Sequence, residues 1–371
     1  MNDSVIYSHV NLTRWVSCIL SPIILLGCAL GNIISFIVLL RPRLRRQTTS
    51  IYLAVLCVAE IGTCYTGLLR QFLLDAFDLD IRRVNSFTCR THILLTYVFL
   101  RLAPLLLALV TLQRYLYVSQ RAKCSLKSTC IQLTCLFLFV CFAEGHLFTF
   151  YDLTYSDTRQ RSDLIPLECT VDKVRYTSYY SFRSKIYPKL TLFLYTIIPL
   201  VVIILGNFLL VRTVRQASKR SRSTTRKKRS VTRMLYAVSV LYTVLTSPAS
   251  IFLAVVPASY QLAPGFRLQW TLLRLLFYLC HSVNFLLFCA SGTFFRQEFA
   301  SFINANCICK IEWANTRTQI VTTTGISKYE DETMLQSLRY LAHSDVSSCR
   351  SEIRTPKLNG KPSLDSHPTS L

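Results

Sequence analysis

Apolar residues in this chain gather into long runs separated by short polar connections. Crossing a hydrocarbon layer of ~30 Å takes ~20 helical residues. Seven runs reach that length: Val16 to Leu40, Ile51 to Leu74, Phe87 to Val118, Thr129 to Phe150, Tyr187 to Arg212, Val231 to Val256 and Leu268 to Ser291. Arg101 interrupts the third and Glu144 the fourth. The first run is too long for a signal-peptide core and no small-residue cleavage site follows it, so it is read as a retained helix. The pattern predicts an all-α membrane protein, a seven-transmembrane helix bundle over 16–291 with an outer tail at 1–15.

Composition agrees, with 51% hydrophobic against 16% charged residues, a balance that fits a lipid-facing core better than a soluble domain. The charges are unevenly placed. The first connection carries Arg41, Arg43, Arg45 and Arg46; the third follows Arg114 with Arg121, Lys123 and Lys127; the fifth runs from Arg215 to Arg233 and is the most basic. None of the three holds an acid, so the positive-inside rule makes them cytoplasmic and puts the N-terminus outside and the C-terminus inside. The other side carries Asp75, Asp78 and Asp80 in one loop and Asp152, Asp157, Asp163, Glu168 and Asp172 in another. The net charge of +23 and the run from Lys219 to Arg229 superficially resemble a nucleic-acid patch. Topology explains them more simply, with the run touching anionic inner-leaflet lipid, and no nucleic acid is expected.

Fifteen cysteines suggest a disulfide scaffold until they are placed. Most fall inside spans, where a thiol acts as a small apolar side chain. Cys89 and Cys169 both fall on the oxidising outer side and are the natural pair for a bridge. Asn2 and Asn11 begin glycosylation sequons in the outer tail.

Gly31-Asn32, Leu56-Cys57-Val58-Ala59-Glu60, the Cys89 and Cys169 pair, Gln113-Arg114-Tyr115, Pro199, Pro248 and Asn284 occur in order across six of the seven runs. That set resembles the rhodopsin-like G-protein-coupled receptors, from about Gly31 to Phe299. The stretch from His281 to Cys289, followed by Ser291-Gly292 and Phe295 to Phe299, looks like invertebrate neuropeptide receptors of the FMRFamide type. The resemblance implies an extracellular peptide ligand, a heterotrimeric G protein meeting Arg114, Gln113 and Tyr115, and an arrestin and receptor kinase acting on the tail. It implies no cofactor and no catalytic residue. Thr96 stands where amine receptors place an aspartate, and Tyr278 where opsins keep the retinal lysine, which argues against both ligand types.

The chain also departs from the family pattern. Gln113 replaces the acid before Arg114, Lys228 sits where some members have another acid, and Phe285 and Phe288 replace the proline and tyrosine of the seventh helix. Arg114 then lacks its expected counter-charges, and a raised basal signal is expected. Glu60, His281 and Asn284, with Asn32 close by, form an expected activation network together with Pro248 and Phe288. A carboxylate at that depth must be neutral, paired or hydrogen-bonded. It is read as a Glu60–His281 proton-sharing pair or, alternatively, as simple helix-packing hydrogen bonds. Arg101 and Glu144 read as a structural ion pair or a ligand contact. Arg70, Gln71, Thr96, Tyr97, Arg274 and Tyr278 would line the ligand pocket, its two arginines favouring an anionic or carbonyl-rich group. The alternative reading is that Arg70 and Arg274 snorkel to head-groups.

Residues 292–306 read as a short amphipathic eighth helix with Phe294, Phe295, Phe299 and Phe302 toward lipid, and Cys307 and Cys309 beyond it read as palmitoylation sites. From 307 to 371 the chain is polar and rich in Ser and Thr, read as a disordered cytoplasmic tail. It ends in Thr369-Ser370-Leu371, a PDZ-ligand pattern. A plasma-membrane receptor is the leading reading. A transporter or channel is the alternative, motivated by intramembrane charge, but no inverted repeat supports it. An enzyme is not expected, because no nucleophile or metal motif appears.

Overall fold

The computed structural model describes residues 3–119, 125–155, 167–220, 223–256, 260 and 264–305, with backbone alone at some of them, including 3–10 and 223–232. Asn2, Cys307, Cys309, the rest of the tail and its PDZ-like end lie outside the described residues.

Helix α1 spans Asp3–Leu39. It starts within the stretch predicted to be a tail, and Asn11 lies on it. Helix α2 spans Thr48–Phe77, widening into a π turn at Cys64–Leu68. It stops at Asp78, whose φ of 54° is left-handed and whose N–H reaches back to the Leu74 carbonyl. A short polar residue tolerates that conformation better than a branched one. Helix α3, Ser86–Val118, starts where the Asn85 side chain accepts from the Thr88 N–H at 2.7 Å. Helix α4, Leu126–Phe150, is capped in the same way by Ser125 and breaks for one residue at Gly145. Helix α5, Thr177–Val214, runs on to Arg220, and α6 is Ser223–Val255. Helix α7 consists of Pro264–Ser282 and Asn284–Ser291, bent by 46°. Residues 293–305 form α8. Six helices are long and apolar enough to cross a membrane and the bent pair makes a seventh, as the hydropathy predicts.

Two departures from the sequence reading matter. Strands β1, Tyr151–Tyr155, and β2, Leu167–Val171, pair antiparallel with Leu153 opposite Cys169, adding a hairpin in the connection between α4 and α5 to a bundle that is helical as predicted. Helix α5 also begins ten residues before the predicted Tyr187, inside what hydropathy assigns to a loop, because its first turns are polar.

The core is built around α3, which packs against α2, α4 and α5. Val38, Leu53, Leu106, Leu235 and Phe288 are almost fully buried in one cluster. Large apolar side chains such as Leu26, Leu30, Phe142, Phe208 and Leu286 remain exposed around the outside, an arrangement that hydrocarbon stabilises and water would not. Helix α8 corrects an expectation. Phe295 is 2% exposed and meets Phe288 and Phe285, Phe299 meets Phe285, and Phe294 packs against the same core. These rings face the bundle rather than lipid. Glu298 fixes α8 from the other direction, accepting from Arg41 at 3.1 Å and Arg43 at 3.3 Å.

Candidate functional site

At the end of the bundle that carries the disulfide, Cys89 at the start of α3 is joined to Cys169 of β2, with Cα atoms 5.6 Å apart. The bridge holds the hairpin against α3, and Arg90 reinforces it by binding Asp152 of β1 at 2.5 Å. Burial works against the Asp152 carboxylate, but hydrogen bonds from Ser86 and Arg90 outweigh it and hold its pKa below the ordinary value.

Below the hairpin lie the predicted pocket residues, and their partners change the picture. Arg70 is held by both carboxylate oxygens of Asp80, at 2.9 and 2.5 Å. Arg274 lies 3.6 Å from Asp75, which also accepts from Gln71 at 2.8 Å and from Ser17 at 2.5 Å. The two arginines expected to meet a ligand anion are therefore already neutralised. They are also not snorkelling, since each has a carboxylate partner. Thr96 hydrogen-bonds the His92 carbonyl of its own helix at 2.7 Å. Tyr278 is buried and packs on Gly67, where a Cβ would collide with the phenol, so the π turn of α2 brings a side-chain-free surface to that ring. Tyr97 accepts a hydrogen bond from Arg183 of α5.

Sequence reasoning missed Arg82, His92, Tyr151 and Arg183. Arg82 belongs to a one-turn 3-10 helix, Ile81–Arg83, started by Asp80, whose side chain accepts from the Arg82 N–H at 3.1 Å. Its Nε donates to His92 Nδ1 at 3.1 Å. Burial, and then the nearby Arg70 charge, push the Arg82 pKa down to about 10. Arg183 donates from Nε to the Tyr151 hydroxyl at 3.0 Å and lies over the Tyr187 ring, 4.3 Å from its centroid. The available signal was the closeness of Arg82 to Cys89 in sequence, which ties its turn to the hairpin. Arg183 was hidden by the late predicted start of α5.

Midway along the bundle, Glu60, His281, Asn284 and Asn32 are each at most 2% exposed. Asn284 donates to Glu60 Oε1, and His281 Nδ1 stands 3.8 Å from the same oxygen. The asparagine makes the hydrogen bond, and the histidine stands within ion-pair distance of the same oxygen, so the expected Glu60–His281 pairing is present as a contact beside it. Asn32 donates to the backbone carbonyls of His281 at 2.9 Å and Cys28 at 3.0 Å. No hydrogen-bonded turn spans Val283 in α7, so the His281 carbonyl that an unbroken helix would use is satisfied by Asn32 instead. Nearby, Arg101 and Glu144 form the expected ion pair at 3.4 Å. Tyr187 donates to Glu144 at 2.5 Å, and Arg101 also lies over the rings of Tyr97 and Tyr195. Pro248 lies inside α6, where the hydroxyls of Thr246, Ser247 and Ser250 bond carbonyls one turn back.

At the opposite end, Arg114 is 6% exposed near the end of α3 and lies 5.5 Å from the Tyr117 ring centroid. Gln113 beside it donates to the Thr48 hydroxyl at 2.9 Å, tying α3 to the start of α2. Tyr115 packs against Val118, Leu210 and Val214, at the seam between α3 and α5. Lys228 lies in α6 where only backbone is described.

The family model described as 7 transmembrane receptor (rhodopsin family) matches residues 31–287. The chain belongs to that family. Comparison with curated proteins finds no match. Membership makes the chain a multi-pass membrane receptor with a ligand and a G-protein partner, and does not favour a transporter. In this receptor the matched segment contains both ends just described, the disulfide-linked hairpin and the buried Arg114.

Proposed function

We propose that this receptor sits in the plasma membrane with its disulfide end outside, binds a neuropeptide there, and activates a heterotrimeric G protein at the Arg114 end. The observation that carries the reading is the hairpin of β1 and β2, held to α3 by the Cys89–Cys169 bridge and reaching Arg183 through Tyr151. A rigid hairpin beside the outer ends of the helices offers backbone and side-chain surface that suits a peptide. The basic connections at the other end, and the resemblance of the seventh helix to FMRFamide-type receptors, support the orientation and the ligand class.

The mechanism follows from the buried contacts. Gln113 and Thr48 close α3 on α2 beside Arg114. Outward movement of α6 would open a groove beside Arg114 for an amphipathic helix of the G protein. Agonist needs only a higher affinity for the open form. Arrestin, a receptor kinase and a PDZ protein are proposed partners of the tail, and Asn2, Asn11, Cys307 and Cys309 proposed modification sites. The test is to express the chain with a promiscuous G protein, screen a neuropeptide library and repeat each hit with Arg114→Ala. A peptide response abolished by that change is expected. A ligand-gated current or substrate flux independent of G protein would overturn the reading.

A further inference from the structure

Several guanidinium groups lie at the disulfide end, and those of Arg70 and Arg274 are each answered by a carboxylate. Asp80 holds Arg70 and Asp75 holds Arg274. Among the described residues, no carboxylate lies within ion-pair distance of Arg82 or Arg183. The partners these two do have are neutral. Arg82 uses its Nε on the ring nitrogen of His92 at 3.1 Å. Arg183 uses its Nε on the Tyr151 hydroxyl at 3.0 Å and one Nη on the Tyr97 hydroxyl.

The unused hydrogen-bonding capacity has one sign. Both Nη groups of Arg82 and the second Nη of Arg183 have no acceptor among the described residues. Tyr97 and Tyr151 each accept from Arg183, which leaves each phenol its own O–H to donate. Tyr151 also lies close enough to feel the charges of both Arg183 and Arg82. Two half-buried cations, one of them holding both phenols and the other near enough for its charge to reach Tyr151, are short of anions and are satisfied by a group that only accepts hydrogen bonds and carries negative charge. A carboxylate has two such oxygens and matches the guanidinium fork. An ammonium group would meet donors and repulsion.

We propose that Arg82 and Arg183, with the hydroxyls of Tyr97 and Tyr151 that Arg183 holds, form a subsite that takes a carboxylate of the ligand. The subsite rests on the reading of the chain as a peptide receptor. The carboxylate comes either from a free C-terminus or from an acidic side chain of the peptide.

The test uses the purified full-length receptor in lipid nanodiscs, with benzoate as the probe and benzamide as its uncharged match at equal millimolar concentration. Benzoate should raise the thermal unfolding midpoint by about 2 °C, as ligands of the native state do, and benzamide should not. Arg82→Gln and Arg183→Gln should each abolish the shift, whereas Arg83→Gln, at an exposed position on the same turn, should keep it. Tyr97→Phe/Tyr151→Phe retains both rings and should shrink the shift even where an arginine variant fails to fold. A shift that survives in the tyrosine double variant, or that benzamide reproduces, overturns the subsite. A benzoate shift absent from the native receptor also overturns it.

For any peptide that activates the receptor, Arg82→Gln should weaken potency about tenfold or more, the scale of one lost charge-assisted contact. Amidated and free-acid forms, and forms with Asp and Glu replaced by Asn and Gln, then identify which carboxylate is used. An activating peptide indifferent to both arginine variants sinks the subsite and leaves the peptide receptor standing. A benzoate shift with the expected variant pattern, in a receptor no peptide activates, supports the subsite and removes the peptide reading.

Discussion

Gln113 shows how one side chain can change a resting state. Its amide donates to Thr48, a neutral contact where a carboxylate would place a charge beside Arg114. Gln113→Asp should add a charge-assisted contact of about 1.5–3 kcal/mol to the closed form, lowering ligand-free G-protein signalling about tenfold at matched expression. An unchanged basal signal would refute the idea. The Arg101–Glu144 pair gives a second prediction at this scale. Glu144 is 1% exposed, so Glu144→Gln leaves the Arg101 cation without its counter-charge and should cost about 3–5 kcal/mol in stability. Replacing both partners by Met should recover most of it, as thermal unfolding in detergent would show. That pair was legible from sequence because two charges inside apolar runs have few possible partners. The roles of Arg70 and Arg274 were not legible, since the aspartates that neutralise them, Asp75 in the last turn of α2 and Asp80 just beyond it, are indistinguishable in sequence from solvated ones.

Among the elements, helices with long apolar runs were readable because lipid imposes their length. Their ends were less so. The first turns of α5 are polar, and α1 begins in a segment with mixed composition. Helix α8 was found by its periodicity, but the direction its phenylalanines face depends on neighbours that periodicity does not reveal. Phe295 fills space between Phe285 and Phe288. Phe295→Ala should therefore destabilise the receptor by about 3–5 kcal/mol, against little for Phe302→Ala, which is less buried. Equal small losses in a thermal unfolding series would restore the lipid-facing reading. The hairpin was missed because its strands are short and its pairing is set by the bridge to α3.

For the molecule as a whole, stability toward acid at the disulfide end should trace to Asp80 together with the more exposed Asp152. Burial raises the Asp80 pKa, but the Arg70 hydrogen bonds and charge and the Arg82 amide outweigh that and hold it below the ordinary 3.8. A lowered folded-state value means the stabilisation is complete above the unfolded value and is lost as pH falls through the folded one. Unfolding midpoints should therefore decline as pH drops below about 4, and Asp80→Asn should flatten that decline; an identical slope would exclude Asp80 as a source. The bend of α7 has a wider consequence. Proline would make such a bend permanent, since it removes a backbone donor for good. Here residue 285 is Phe, every N–H remains, and the carbonyl released by the break is held by the amide of Asn32 on α1. Straightening α7 would return the Phe285 N–H to the carbonyl that Asn32 of α1 now holds, so the first helix shares the acceptor on which a straight seventh helix depends, and the fold carries a joint that can mend itself.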